Sequence, residues 1–188
     1  MLEIQRSQLQ PLFTDSPVLK ALLEGSFSES AKKEATLNSV SKETFEILLK
    51  YTYTGSKELL TSTVILDVLE AGCFLLNPFI IQASLAKLSV LLKENNWDNT
   101  IHPVRLVDLT LNNVALLKTI NVNLRDLLTM LENSLKSSLN EVFEGLQNST
   151  PSLFNFYTSS FDLTLKKWNT LVSAIQSIET KLSLNLET

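Results

Sequence analysis

Few side chains in this sequence have the types and spacing that catalysis or metal binding requires. The chain has a single histidine, His102, and a single cysteine, Cys73. One of each cannot assemble a structural zinc site, which takes four nitrogen or sulfur ligands. His102 precedes Pro103 at the end of a polar segment, which indicates a surface or capping role. Cys73 lies in an apolar segment, which indicates a buried small hydrophobe. We therefore expect no metal site.

The sequence also lacks the patterns that cradle phosphate or activate a nucleophile. Its four glycines are far apart, so no glycine-rich phosphate loop occurs, and no Gly-x-Ser-x-Gly elbow exists. Asp67 and Glu70 are three residues apart in one predicted helix, a spacing that is typical of a solvated or salt-bridged surface. We therefore predict that the protein is not an enzyme and has neither catalytic residues nor a cofactor.

Composition restricts the partners and the compartment of the chain. Of its 188 residues 44% are hydrophobic and 19% are charged, enough to form a sizeable core. A formal charge of −4 gives no electrostatic reason to bind nucleic acid, whose phosphates are neutralised by Lys and Arg. The amino terminus lacks the basic and apolar regions of a signal peptide. We expect an intracellular protein, cytoplasmic or nuclear, with neither nucleic acid nor membrane as a partner.

The elements that organise the first half of the chain lie between Ser16 and Gly55. Proline tolerates the first turn of a helix, so Ser16-Pro17 predicts a helix start. Residues 34–37 are short enough for one strand. Ser41 can cap a second helix, which Gly55 would end. The predicted buried face of that helix consists of Phe45, Leu48, Leu49 and Tyr53.

This order of elements, and the residues in them, resemble the BTB/POZ domain. The matching segments are Ser16-Pro17, Ser26-Phe27-Ser28-Glu29-Ser30, the strand at 34–37, Val40-Ser41-Lys42-Glu43-Thr44-Phe45 and Tyr51-Thr52-Tyr53-Thr54-Gly55. The similarity continues with an apolar fourth helix at 64–75, a proline turn at Asn77-Pro78-Phe79 and a fifth helix at 80–92. In the fourth helix the predicted buried face is Ile65, Val68, Leu69, Gly72, Cys73 and Leu76. The resemblance implies an α+β fold that is mostly helical, with a short sheet.

The front of the sequence departs from the family pattern. BTB domains usually begin with a pair of strands and a first helix, whereas here residues 2–4 can form only one strand before one or two helical turns. The first strand of the pair would have to precede Met1, so we expect either that the chain is shorter at the front than its relatives or that Met1 is an internal start. Many BTB proteins use that segment to form their dimer. The resemblance therefore implies a possible homodimer but does not decide whether this chain forms one.

The resemblance also suggests a partner-binding loop. In BTB proteins that act as adaptors for cullin 3 ubiquitin ligases, one loop contacts the scaffold through a hydrophobic residue and a glutamate two positions later. The matching positions here are Phe27 and Glu29. An exposed aromatic ring provides a large anchor, and a carboxylate fixes orientation through a charged hydrogen bond. The alternative is that Phe27 folds onto the domain and Glu29 is solvated. Tyr51 and Tyr53 are further candidates, although Tyr53 is expected in the core.

A second region is predicted to follow a polar linker at 94–100. We expect a BTB/POZ-like domain at 1–94 and an all-helical region at 95–188, in which Pro103 starts a helix. A long apolar stripe comprises Leu124, Leu127, Leu128, Leu131, Leu135, Leu139, Val142 and Leu146, and Gly145 and Pro151 are expected to end it. A last helix at about 163–182 carries Leu165, Trp168, Leu171, Val172, Ile175, Ile178 and Leu182 on one side.

The helical region has three interpretations. Its position and helix content are similar to the BACK region of many BTB proteins, a plain helical bundle fits equally well, and a coiled coil fits less well because the stripe is short. The leading functional hypothesis is a protein-interaction adaptor or scaffold, acting as a substrate adaptor for a cullin 3 ubiquitin ligase. The alternative is a structural protein that forms homo-oligomers through the BTB region and the helical tail, without a ligase role.

Overall fold

The structure is a computed structural model that describes residues 12, 16–25, 37, 39–93, 103–133, 136 and 151–186. The chain divides into two compact units, Met1–Ile101 and His102–Thr188. The predicted assignment of residues 1–94 and 95–188 to two domains with separate roles remains a proposal.

Four α-helices and one short 3-10 turn form the described part of the first unit. The helices are α1 (Pro17–Glu24), α2 (Lys42–Thr54), α3 (Ile65–Phe74) and α4 (Pro78–Lys93), and the 3-10 turn is Lys57–Leu59. Serine hydroxyls cap two of the helices: Ser16 Oγ accepts from Leu19 N at 3.3 Å, and Ser41 Oγ accepts from Thr44 N at 3.1 Å. Gly55 ends α2 at a φ of 66°, a left-handed conformation that glycine adopts without strain.

The predicted short sheet is not confirmed by the described residues, none of which is in a strand. Of the two predicted strands, residues 2–4 and 34–36 lie outside the described part of the chain. Leu37 is described, and it is not in a strand. The helices predicted from proline positions and apolar spacing, in contrast, are present.

The core of the first unit lies between α2, α3 and α4. Helix α3 packs against both of the other two. The buried apolar residues of these helices are Phe45, Leu48, Tyr51, Ile65, Leu66, Val68, Leu69, Ala71, Cys73, Ile80, Ile81, Leu88 and Leu91. Gly72 faces α4: a Cβ atom there would be 2.8 Å from Ile80 Cγ2 and 3.3 Å from Ile81 Cγ1. The atoms that approach Gly72 are thus those of isoleucine side chains.

The described part of the second unit contains α5 (Pro103–Thr119), α6 (124–133) and α7 (Pro151–Leu186). Helix α7 packs against α5. Leu106 and Val107 of α5 and Leu171 and Ile175 of α7 are buried. A half-buried ion pair also joins these helices, with Lys167 Nζ 2.6 Å from Asp108 Oδ2. Pro103 begins α5, as predicted.

Two predictions for α7 were wrong. The helix was expected to begin at about residue 163, but it begins at Pro151, because proline at the first helical position loses no intrahelical hydrogen bond. Leu165 was expected on the buried face, but it is 44% exposed. At about 100° per residue, Leu165 lies roughly 120° around the helix from the buried Leu171.

Three of the four leucines that the structure describes in the stripe are buried. Leu124, Leu127 and Leu131 of α6 are at most 7% exposed. The stripe residues from Leu135 onward lie outside the described residues. These three leucines thus pack within this chain, whereas Leu128 is half-buried.

No helix in the described ranges combines the length and the apolar character needed to cross a membrane.

Candidate protein-binding surface

The turn between α3 and α4 is built from two tightly joined helix ends. Asn77 N donates to Gly72 O at 2.9 Å and Leu76 N donates to Cys73 O at 3.1 Å, which together close the end of α3. Asn77 Oδ1 then accepts from Ile80 N at 3.0 Å and caps α4, whose first residue is Pro78. Asn77 is buried, so its side chain holds the turn from inside.

Leu76 has an unusual backbone conformation in this turn. Its φ is 51°, in the left-handed region that glycine and asparagine adopt more readily than leucine. Asn121, with a φ of 60°, holds the corresponding position after α5, where Val122 N donates to Leu117 O at 2.9 Å. The chain thus uses a residue suited to the left-handed region at one helix end and leucine at the other.

Three large apolar side chains of the turn face outward. Phe74 and Leu76 are each 41% exposed and Phe79 is 45% exposed, and we call these three residues the turn surface. Leu75, between the first two, is fully buried. Leu76 was expected on the buried face of its helix; it is exposed because the chain leaves the helix before it and turns its side chain away from the core.

Packing beneath the turn surface restricts its movement. The Phe79 ring stacks on the Tyr51 ring of α2, with the two centroids 5.6 Å apart and the planes inclined by 30°. Tyr51 is only 4% exposed. Phe79 therefore has one face on a buried ring and the other side toward solvent, so little conformational entropy would be lost if a partner covered it.

A buried hydroxyl fixes the position of the turn relative to α1. Ser16 Oγ donates to Leu75 O at 2.7 Å, while it also caps α1. Ser16 is fully buried. The Ser16-Pro17 pair was predicted to start a helix, which is confirmed, and the structure adds this contact with a residue distant in the sequence.

The turn surface has apolar rather than ionic character. No charged residue occurs between Ala71 and Ala86, the segment that contains the whole turn.

Cys73, the one cysteine, is buried. Desolvation, and to a smaller extent the negative charge of Glu70, raises the pKa of its thiol to about 12. The thiol is therefore protonated and unreactive at neutral pH, which agrees with its predicted role as a buried hydrophobe.

The candidate residues predicted from the sequence have different outcomes. Phe27 and Glu29 lie outside the described residues, so their role stays a prediction. Tyr53 was expected in the core, but it is 51% exposed, because it lies roughly 140° around α2 from the buried Leu48. Phe74 and Phe79 were not predicted as site residues, although two aromatic residues next to a proline turn are a signal that the sequence contains.

A helical domain that exposes aromatic and aliphatic side chains at a rigid, uncharged turn has the features of a protein-interaction domain. Residues 12–90 match the model of the BTB/POZ domain family, and the chain thus contains a BTB/POZ domain over less than half of its length. The resemblance stated from the sequence is confirmed. BTB/POZ domains mediate protein–protein interaction, often dimerise and are not typically enzymes.

No curated protein and no solved structure matched the chain.

Proposed function

We propose that this protein is an adaptor or scaffold whose BTB/POZ domain binds a partner protein through the turn surface. The observation that carries the proposal is the outward position of Phe74, Leu76 and Phe79 on one uncharged turn. Aromatic side chains such as Phe74 and Phe79 bury a large area on binding and dominate the energetics of many protein interfaces.

The backbone of Leu76 supports the same proposal. A non-glycine residue in the left-handed region costs about 1–2 kcal/mol, and an asparagine or glycine would lower that cost. Burial of the rest of the side chain offsets part of this cost, but 41% of Leu76 remains exposed to water. A partner that covered this exposed part would add a further favourable contribution, which asparagine would not provide.

The variant Leu76→Asn tests the turn surface without disturbing the core. Asn121 holds the corresponding position after α5, so the backbone should accept asparagine at residue 76. We expect Leu76→Asn to unfold at the same urea concentration as the native protein or a higher one. In quantitative affinity capture from cells, we expect it to lose a defined set of partners by tenfold or more.

Leu163→Gln is the matched control. Leu163 is 55% exposed on α7, so this variant also removes an exposed leucine, but in the other unit. It should retain the partners that Leu76→Asn loses. If the native protein, Leu76→Asn and Leu163→Gln capture the same proteins in the same amounts, the turn surface is not a binding site.

A narrower proposal names the partner as the scaffold of a cullin 3 ubiquitin ligase. It rests on the resemblance of Phe27 and Glu29 to the docking loop of BTB adaptors. The all-helical region would then serve as a BACK-like extension of the docking surface. Substrate recruitment would place the protein in a ubiquitin ligase complex.

Purified cullin 3 is the probe for this proposal. We expect the native chain to bind it and the Phe27→Ala, Glu29→Ala double variant to bind at least tenfold more weakly. Unchanged binding by the double variant would remove these two residues from the interface. If the native chain does not bind cullin 3, the ligase role is wrong, whereas the turn surface stays open to test with Leu76→Asn.

Self-association is the alternative function, because a second copy of the chain could also cover the turn surface. Light scattering over a hundredfold range of protein concentration separates the two. A homo-oligomer that Leu76→Asn converts to a monomer would favour a structural role over an adaptor role. The leucine stripe gives self-association less support, because three of its four described leucines are buried within the chain.

A further inference from the structure

We draw no further inference here: the strongest candidate, the exposed outer face of helix α4 at Gln82, Ala86 and Val90, is a helix face with nothing in the structure to show what covers it.

Discussion

Gly72 sets how closely α4 can approach α3. A methyl group there would lie 2.8 Å from Ile80 Cγ2, closer than carbon atoms pack. Because both helices lie in the core, the contact can be relieved only by moving a side chain or a helix. We expect Gly72→Ala to lower the free energy of unfolding by about 1–3 kcal/mol in urea denaturation, although alanine is the better helix former.

A second substitution tests whether Ile80 causes this loss. Ile80→Leu removes the Cγ2 branch and keeps the side-chain volume nearly constant. In that background Gly72→Ala should cost at least 0.5 kcal/mol less than in the native chain, as a double-mutant cycle measures it. Additive costs would show that the collision does not involve Cγ2.

The raised pKa of the Cys73 thiol makes the free energy of unfolding depend on pH in the alkaline range. Its pKa is about 12 in the folded protein against 9.0 for an ordinary thiol. Above pH 9 the unfolded chain therefore releases a proton that the folded chain retains, so rising pH favours unfolding. The protonated Cys73 thiol makes its full contribution to the free energy of unfolding below pH 9, and this contribution is lost between pH 9 and about 12.

Cys73→Ala isolates this effect from the other groups that titrate in the same range. We expect the stability advantage of the native chain over Cys73→Ala to fall by about 1 kcal/mol between pH 8 and pH 10. Urea denaturation of both proteins at each pH measures it. A constant difference would mean that the thiol is accessible to solvent in the folded protein.

At the scale of the elements, Ser16 connects α1 to the end of α3. Its hydroxyl caps α1 and donates to Leu75 O, and the residue is fully buried. Ser16→Ala would remove the cap and leave a buried carbonyl group without its donor. We expect a loss of roughly 2–3 kcal/mol in the free energy of unfolding.

Ser41 provides the comparison: its hydroxyl also caps α2, from an exposed position, and its donated hydrogen bond goes to Thr44 Oγ1 at the same helix end, 3.0 Å away. Ser41→Ala should cost only about 1 kcal/mol, the usual value of a helix cap. Thermal or urea unfolding of the two variants would compare them. If the two losses were equal, the hydrogen bond to Leu75 would contribute no more to stability than the local one to Thr44.

Helix positions were predictable because their signals are local. Proline at a first helical position marks the starts of α1, α4 and α5, and apolar residues three and four apart reveal their length. The exposure of single residues was less predictable. Leu76 and Tyr53 continue the apolar spacing of their helices, yet both are exposed, because the direction of a side chain near a helix end depends on where the turn begins.

The turn surface shows the same limit. Phe74 and Phe79 are visible in the sequence as aromatic residues near a proline, but apolar residues at such positions are usually buried. Their exposure depends on Leu75 and Asn77, which occupy the interior of the turn. Which side chains turn inward depends on the packing of α3 on α4 and on the hydrogen bond from Ser16 to Leu75 O, and no local pattern encodes it.

At the scale of the whole molecule, each unit has a core made by its own helices. Packing of α3 on α2 and α4 forms the first core, and packing of α5 on α7 contributes to the second. The sequence between them, residues 94–100, is polar. Boundaries between independently packed domains usually fall in such segments. We therefore propose that residues 1–94 and 95–188 behave as separate domains.

Limited proteolysis tests this proposal. Cleavage requires local unfolding of the bond that is cut, so a protease should act first between residues 94 and 102 and leave the two cores whole. Mass spectrometry of the early products should find two fragments that meet in this interval, and in urea the same protease should cut throughout the chain. Early cleavage within α3, α4 or α5 would show instead that one of these helices opens more easily than the proposed boundary, and the division at residue 95 would then be wrong.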